Sequence, residues 1–433
     1  MMEHSQFWNL PTTMAQYLPT LEQLVGALKH EEESKMKKLG GWGNFSSMGM
    51  PMLSAGMGVD SPNMAFVNSA PDDCFLVNRL ASGRYSLKPN LSRHLYLYRG
   101  QNKAYEKILP SYRHSKFPLL IHNLKIEEFR ILLDSHPLVK LFNNGIILGE
   151  YKKPFFFEMN YYGLAQHYGF STSLVDFTSD IEVAAFFAST KNLGDDQYVP
   201  ITDVKESPYG ILYLYEMNPF LTFTMEGFSS IGLQVFPRSG AQKGFLKDEK
   251  GIDVNQCRIR KLLFRHDANV SMRYFLRNRC GAKLFPKDEL APFAKQIRDG
   301  KHISWEAVAR NSYWNSHEDP NRNMKMCEEY GFEIDSSLRY VFMPDDLHSF
   351  YIDIRNGLWE QFCNQIYFEG EKSAYFKEQM LRLPVSSGYS HFFDEQYLER
   401  LNYHLYEERR NSLRNLNANK VSLPDSKELT QVL

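Results

Sequence analysis

Within the stretch 166–176 the chain carries Gln166, His167, Tyr168, Ser171, Thr172, Ser173 and Asp176, so an amide, an imidazole, a phenol, three hydroxyls and a carboxylate arrive almost together. Directly after them Ile181, Ala184, Ala185 and Ala188 recur at helical spacing, and Ser179 with Glu182 three residues later has the form of a capping box. Polar groups leading into a helix start sit beside free backbone N–H groups and the positive end of a helix dipole, which is a place for an anionic ligand. A second group is Arg99-Gly100-Gln101, where a planar, permanently charged guanidinium meets a glycine that lets another group approach the backbone. A third is Gln242, inside the run from Pro237 to Leu246.

Positioning these groups requires particular elements. His94 to Gly100 alternates so that Leu95, Leu97 and Arg99 share one face of a strand while Tyr96 and Tyr98 share the other, which aims Arg99 inward. Phe170 to Phe177 suits a short strand or extended run, with a helix beginning near Asp180. Phe155 to His167 and Ile126 to Leu133 are predicted helices, and Leu109 to Arg113 a turn. Tyr209 to Glu216 is almost wholly apolar, as a central strand would be. Pro237 to Leu246 has the glycines of a turn followed by a strand start, and Val270 to Cys280 is a predicted helix ended by Gly281.

A chain of 433 residues, 43% hydrophobic, can bury at least one large core. Its formal net charge of −1 gives no global field toward nucleic acid or an anionic membrane. The five cysteines are scattered and read as reduced thiols, and the histidines lack metal-ligand spacing, so no zinc site is proposed. No long apolar run or basic-then-apolar start occurs, which predicts a cytoplasmic protein without a membrane partner. Three regions are expected. Residues 1–72 form an N-terminal helix, with apolar positions spaced from Leu18 to Leu28, and a flexible Gly/Met-rich segment containing Met48, Met50, Met52 and Met57. Residues 73–300 form the main domain, and 301–433 a helical domain with amphipathic helices over 350–368 and 392–414.

The order of short motifs resembles the FRG domain family: Tyr98 to Gln101, Leu109 to Ser111 with Arg113, an acidic helix, Gln166 to Gly169, Ser171 to Thr178, Phe186 to Ala188, then Arg238, Gln242 and Gly244, and Gly281 through Pro286. This sequence departs from the family pattern at Ser171-Thr172-Ser173, where a Pro-Thr-Arg run is usual, and at Phe177, where tryptophan is usual. The departing segment looks like the second motif of arginine-type ADP-ribosyltransferases, which also carry an arginine on an earlier strand, as Arg99 would be. The resemblance implies an α+β fold with a mixed, split β-sheet and flanking helices. It also implies NAD as the substrate, a bacterial antiviral-defence or toxin–antitoxin setting, a macromolecular target, and a neutralising antitoxin as a further partner.

Transfer of ADP-ribose breaks a glycosidic bond through an oxocarbenium-like transition state, which needs cations or N–H dipoles for pyrophosphate and a polar or negative group near the ribose. Arg99, with Gly100 and Gln101, would hold phosphate; Ser171, Thr172 and Ser173 would order the nicotinamide ribose; Tyr168 or Tyr98 would stack on the nicotinamide. The usual glutamate of the third motif is missing from Gln242-Lys243-Gly244. Asp176 or Glu158 supplies the carboxylate instead, or Gln242 positions the ribose hydroxyls with His167 as base, and these alternatives stand open. Each residue also has a plain structural reading: Arg99 in a buried salt bridge to Glu158 or Asp176, His167 against a helix dipole, Ser171 and Ser173 as turn hydroxyls, Asp176 paired with Arg99 or Arg113. Two other functions compete, a non-catalytic FRG module binding a nucleotide or protein as a sensor, and a metal-dependent nuclease built on Asp176, Glu158 and His167.

Overall fold

The computed structural model describes residues 16–39, 70–148, 154–217, 228–248, 254–313, 319–368 and 373–383, apart from single positions 72, 81, 92 and 106. The methionine-rich run and the expected helix over 392–414 lie outside the described residues. The chain is α+β, and it divides into two units, each assembled from separated stretches of chain. Described residues within 1–111, 173–287 and 364–374 make the first; those within 112–172, 288–363 and 375–433 make the second. No helix among the described residues is long and apolar enough to cross a membrane.

The first unit is organised by a six-stranded sheet. Two outlying strands, β1 (Phe75–Arg79) and β2 (Tyr85–Pro89), form an antiparallel pair extended by a parallel two-residue strand, Ile366–Tyr367. The main sheet uses β3 (Tyr96–Gln101), β4 (Leu174–Thr178), β7 (Tyr209–Glu216), β8 (Phe228–Ser230), β9 (Gly244–Asp248) and β10 (Ile259–Arg265) in the order β10-β7-β3-β4-β9-β8. Every pairing in it is antiparallel, so the expected mixture of directions is confined to the small sheets. A split is present. β3 pairs with β7 over six positions, from Tyr96↔Glu216 to Gln101↔Ile211, but with β4 only at Tyr98↔Thr178. An exposed hairpin, β5 (Thr190–Gly194) and β6 (Gln197–Pro200), stands apart from the main sheet.

Alternation along β3 decides the two cores. Tyr96 and Tyr98 pack with Leu212, Leu214, Ala184 and Phe264 under helices Leu21–Leu39, Ile181–Ser189 and Ala268–Arg277, whereas Leu97 packs with Val175, Phe177, Ile211, Tyr213 and Tyr215 on the other face. Leu95 precedes the strand and joins the first core instead of the Leu97 face. The long N-terminal helix is pinned by carboxylates: Glu32 accepts from the backbone of Leu95 and from the Tyr98 hydroxyl, at 2.6 and 2.8 Å. Gly100 meets the helix directly, since a Cβ there would lie 1.8 Å from the Ala184 carbonyl oxygen. A side chain at that position would have to displace backbone.

Local boundaries correct several expectations. The helix after β4 runs Ile181–Ser189 and is capped by Asp180, whose carboxylate accepts from Glu182 N at 2.9 Å, so Ser179 lies one residue too early. Pro237–Gln242 is a short helix and not a turn. Pro237 sits in its first turn with φ already fixed, and Lys243 ends it in the left-handed region (φ 45°) before β9 begins at Gly244. Ala268–Arg277 is capped by Asp267 and followed by a 3-10 turn through Gly281, whose φ is 96°.

The second unit is mainly helical. Leu119–Ser135 is its long buried helix, flanked by Pro137–Asn144, Leu290–Asp299 and Trp305–Asn311, with a two-stranded parallel sheet of β11 (His302–Ser304) and β12 (Glu333–Asp335). Helix Tyr161–His167 starts only at Asn160, whose side chain accepts from Gly163 N at 2.9 Å. Upstream, Phe155, Phe157 and Met159 are buried while Phe156 and Glu158 are exposed; this period of two is extended chain and overturns the helix expected from Phe155. The stretch predicted helical over 350–368 forms two helices, His348–Arg355 and Leu358–Asn364, broken at Gly357 (φ 98°).

Candidate anion site

In the first unit the alternation of β3 places Arg99 and Gln101 on the Leu97 face, opposite Tyr213 and Ile211 of β7. Arg99 is half-buried, and its Nη1 donates to the main-chain carbonyl of Asp176 at 2.9 Å, across the narrow junction between β3 and β4. The expected salt bridge to the Asp176 carboxylate is thus replaced by a bond to that residue's backbone. Three buried side-chain atoms on this face have no hydrogen-bond partner among the described residues: Arg99 Nε, Gln101 Oε1 and the Tyr213 hydroxyl. Burial lowers the Arg99 pKa, with Asp176 and Tyr213 pulling the other way. Burial also raises the Tyr213 phenol to about 12, against the field of Arg99. Buried polar atoms in folded proteins are nearly always paired, so three together on one face set it apart as a desolvated polar face.

A second cation joins the same unit. Arg238, on the helix Pro237–Gln242, is buried, and its Nη1 lies 2.7 Å from Asp196 Oδ2 at the tip of the β5–β6 hairpin. Its guanidinium stands 5.9 Å from the centroid of Phe285, which stacks on Tyr198 at 5.0 Å. Tyr198 feels the fields of Asp196, Asp176 and Arg238, and burial, the largest cause, raises its phenol. Asp176 therefore contributes charge near both Arg99 and Tyr198. Tyr213, Tyr198 and Asp196 escaped the sequence reading. Tyr213 was hidden in an apolar strand, and the hairpin acidic pair Asp195-Asp196 was the one available signal.

The remaining expected residues fall into structural roles or into the second unit. Gln242 donates from Nε2 to the Leu284 carbonyl at 3.0 Å, and its own carbonyl accepts from the Thr178 hydroxyl at 2.7 Å, so it ties β4 to the 281–286 segment. Ser173 is buried and donates to Asp248 at 3.2 Å. Gly100 meets a helix backbone, which accounts for glycine there without a ligand. Tyr98 is buried with its hydroxyl on Glu32, in the core opposite to Arg99. In the second unit Tyr168 is buried against Phe129, with its hydroxyl donating to Asp288, so neither tyrosine presents a free ring face of the kind stacking on nicotinamide asks for. Thr172 is buried and bonded to Gln166, Ser171 is half-buried, and His167 is buried in the last turn of Tyr161–His167. Gly169 takes φ 81° beside Arg298, whose Nη1 donates to the Tyr168 carbonyl at 3.1 Å. The first unit brings together Arg99, Gln101 and Asp176; His167, Tyr168, Ser171, Thr172 and Glu158 belong to the second.

Among the described residues no group of three or more His, Cys, Asp or Glu side chains is arranged to hold a metal ion, and no two cysteines are joined in a disulfide. Searches of curated proteins and of solved structures yield no significant match. Residues 94–197, from the residue before Leu95 to the start of β6, match the family model of the FRG domain.

Proposed function

We propose that this FRG-domain protein consumes NAD and transfers ADP-ribose to a macromolecule, as a toxin-like effector of bacterial defence. The reading rests above all on the desolvated polar face formed by Arg99, Gln101 and Tyr213. Arg99 carries a charge it cannot shed, and its single hydrogen bond goes to a backbone carbonyl. A phosphate oxygen would satisfy Nε and the remaining guanidinium donors in the bidentate geometry that arginine favours. Asp176, whose field reaches Arg99, is the carboxylate of the same unit available to stabilise positive charge developing on the ribose. In this reading Gln242 and Gly100 support the site without touching substrate. The absent third-motif glutamate leaves proton transfer to Asp176.

The test is release of nicotinamide from NAD by the purified chain. Arg99→Ala should abolish release while the melting transition is retained. Label from NAD appearing in protein, RNA or DNA of a cell extract would then name the target class. The second reading, a sensor module that binds a nucleotide or protein without turnover, is favoured by one fact: Gln242, Thr172, Ser173 and Tyr168 are all committed to internal hydrogen bonds. It predicts saturable binding of ADP-ribose with no nicotinamide released by the wild-type chain.

A further inference from the structure

The ion pair between Arg238 and Asp196 joins unequal partners. The Arg238 side chain is 5% exposed, while Asp196 is 36% exposed and sits on a hairpin tip. Asp195 and Asp196 form a two-residue turn with φ of 49° and 59°, flanked by Gly194 at 101°. Positive φ at both central positions is the type I′ pattern, for which Asn-Gly is the favoured pair, so two aspartates here accept backbone strain. The strained turn delivers one carboxylate to a buried guanidinium that also faces the Phe285 ring. Beside it stands the stacked Tyr198–Phe285 pair, whose phenol also feels the charge of Asp176.

We infer that Arg238 is a second anion-binding residue of this unit and that Asp196 occupies its seat until a phosphate-bearing ligand displaces the carboxylate. A carboxylate and a phosphate oxygen make the same charge-assisted bond to guanidinium, so one can stand in for the other. The exposed hairpin that carries Asp196 is the part of this cluster that can leave at least cost, because few buried groups move with it. Arg99 donates to the Asp176 carbonyl, and the charges of Asp176 and Arg238 both reach the Tyr198 phenol, so the unit holds two cations, a number that suits a pyrophosphate better than a single phosphate. The pyrophosphate class rests on the NAD reading above; the exchange of Asp196 for an anion does not.

The test is calorimetric titration of the full chain with inorganic pyrophosphate and with ADP-ribose at fixed low salt, for the wild type, Asp196→Asn and Asp195→Asn. Asparagine tolerates positive φ, so either change removes charge and keeps the turn. Asp196→Asn should tighten binding about tenfold, the equivalent of 1.4 kcal/mol, whereas Asp195→Asn should leave it within about twofold. Adding Arg238→Lys to Asp196→Asn should return affinity to the wild-type level or weaker, because ammonium cannot reproduce the fork. Equal affinity for the two single variants, or tight binding that survives Arg238→Lys, would overturn the inference. Tightened pyrophosphate binding together with no nicotinamide release from any variant would sink the transferase reading alone.

Discussion

Each unit holds a charged side chain with an unpaired atom sealed from solvent, half-buried Arg99 in the first and buried Glu128 in the second, and the two solve the problem differently. Glu128 lies on the helix Leu119–Ser135, is 1% exposed, and accepts a hydrogen bond from the backbone N–H of Ser304, while its Oε2 has no partner. Ser304 caps the helix Trp305–Asn311, so the carboxyl serves a second helix start. Burial, aided by Glu306 and Asp335 and opposed by the Ser304 bonds, pushes Glu128 up to about 7, so it escapes the cost of a buried charge by taking a proton. Arginine has no such exit. Arg99 also has one backbone hydrogen bond and one sealed, unpaired atom, but it is only half-buried and shares its face with two further groups unpaired among the described residues, Gln101 and Tyr213. A buried charge that can neutralise itself and caps an element is structural. Arg99 can do neither, and on that ground the site is proposed there.

The largest effect should come from the backbone that carries Arg99. Gly100→Ala forces a methyl against the Ala184 carbonyl, and because that obstacle is backbone, the cooperative melting transition of the chain should be lost. A folded Gly100→Ala protein with unchanged stability would show that β3 floats free of the helix and that Arg99 is not fixed.

Next comes Glu128, and here pH decides. Its folded pKa of about 7 lies above the ordinary 4.5, so between these values the folded state holds a proton that the unfolded state has released. Stability therefore falls as pH rises from about 4.5 to 7, by up to about 3 kcal/mol, and is flat above that. Glu128→Gln should remove this slope and leave the protein more stable at pH 8 than the wild type. Denaturant midpoints at pH 4.5, 6 and 8 measure it, and an unchanged slope would sink the contrast with Arg99.

A smaller loss is expected for Gln242→Ala, which leaves the Leu284 carbonyl without its donor at a cost of about 1–3 kcal/mol. Turnover per folded molecule should be preserved, as fits a residue that ties segments together. A turnover loss without a stability loss would return Gln242 to the ribose.

Smallest on the stability scale is Arg99→Ala. Removing a cation with one hydrogen bond and an unpaired Nε should change unfolding free energy by less than about 1 kcal/mol, yet nicotinamide release should fall by at least about a hundredfold. Arg99→Lys should recover little of it, since the planar fork is what the site uses. Destabilisation comparable to that of Gln242→Ala, with release intact, would make Arg99 a structural charge like Glu128.

Much of this layout was legible from the chain. The alternation from Tyr96 to Arg99, the apolar spacing after Asp180 and the unbroken apolar run at 209–216 name their own elements, because the period of a strand or helix is written in consecutive residues. The misreadings came where two periods overlap or where one residue shifts a boundary. Phe155, Phe157 and Met159 alternate on an extended segment just ahead of a true helix, and Asp180 takes the cap that Ser179 was expected to fill. Arg99 was identified from its direction alone. Its partners were not, because the face of β7 that meets it lies more than a hundred residues away.

By itself, then, the sequence determined an α+β chain, an inward arginine followed by a glycine, and an FRG motif order read over 73–300, of which the family model matches 94–197. Only the tertiary structure decided that β3 and β4 touch at a single pair, that Tyr213 and Gln101 flank Arg99 without partners, and that Arg238 meets Asp196. Local periodicity fixes which way a side chain points, since that depends on neighbours along the chain. What it points at is set by strand pairing and packing between segments far apart in sequence, where many partners have compatible patterns and the common core selects one.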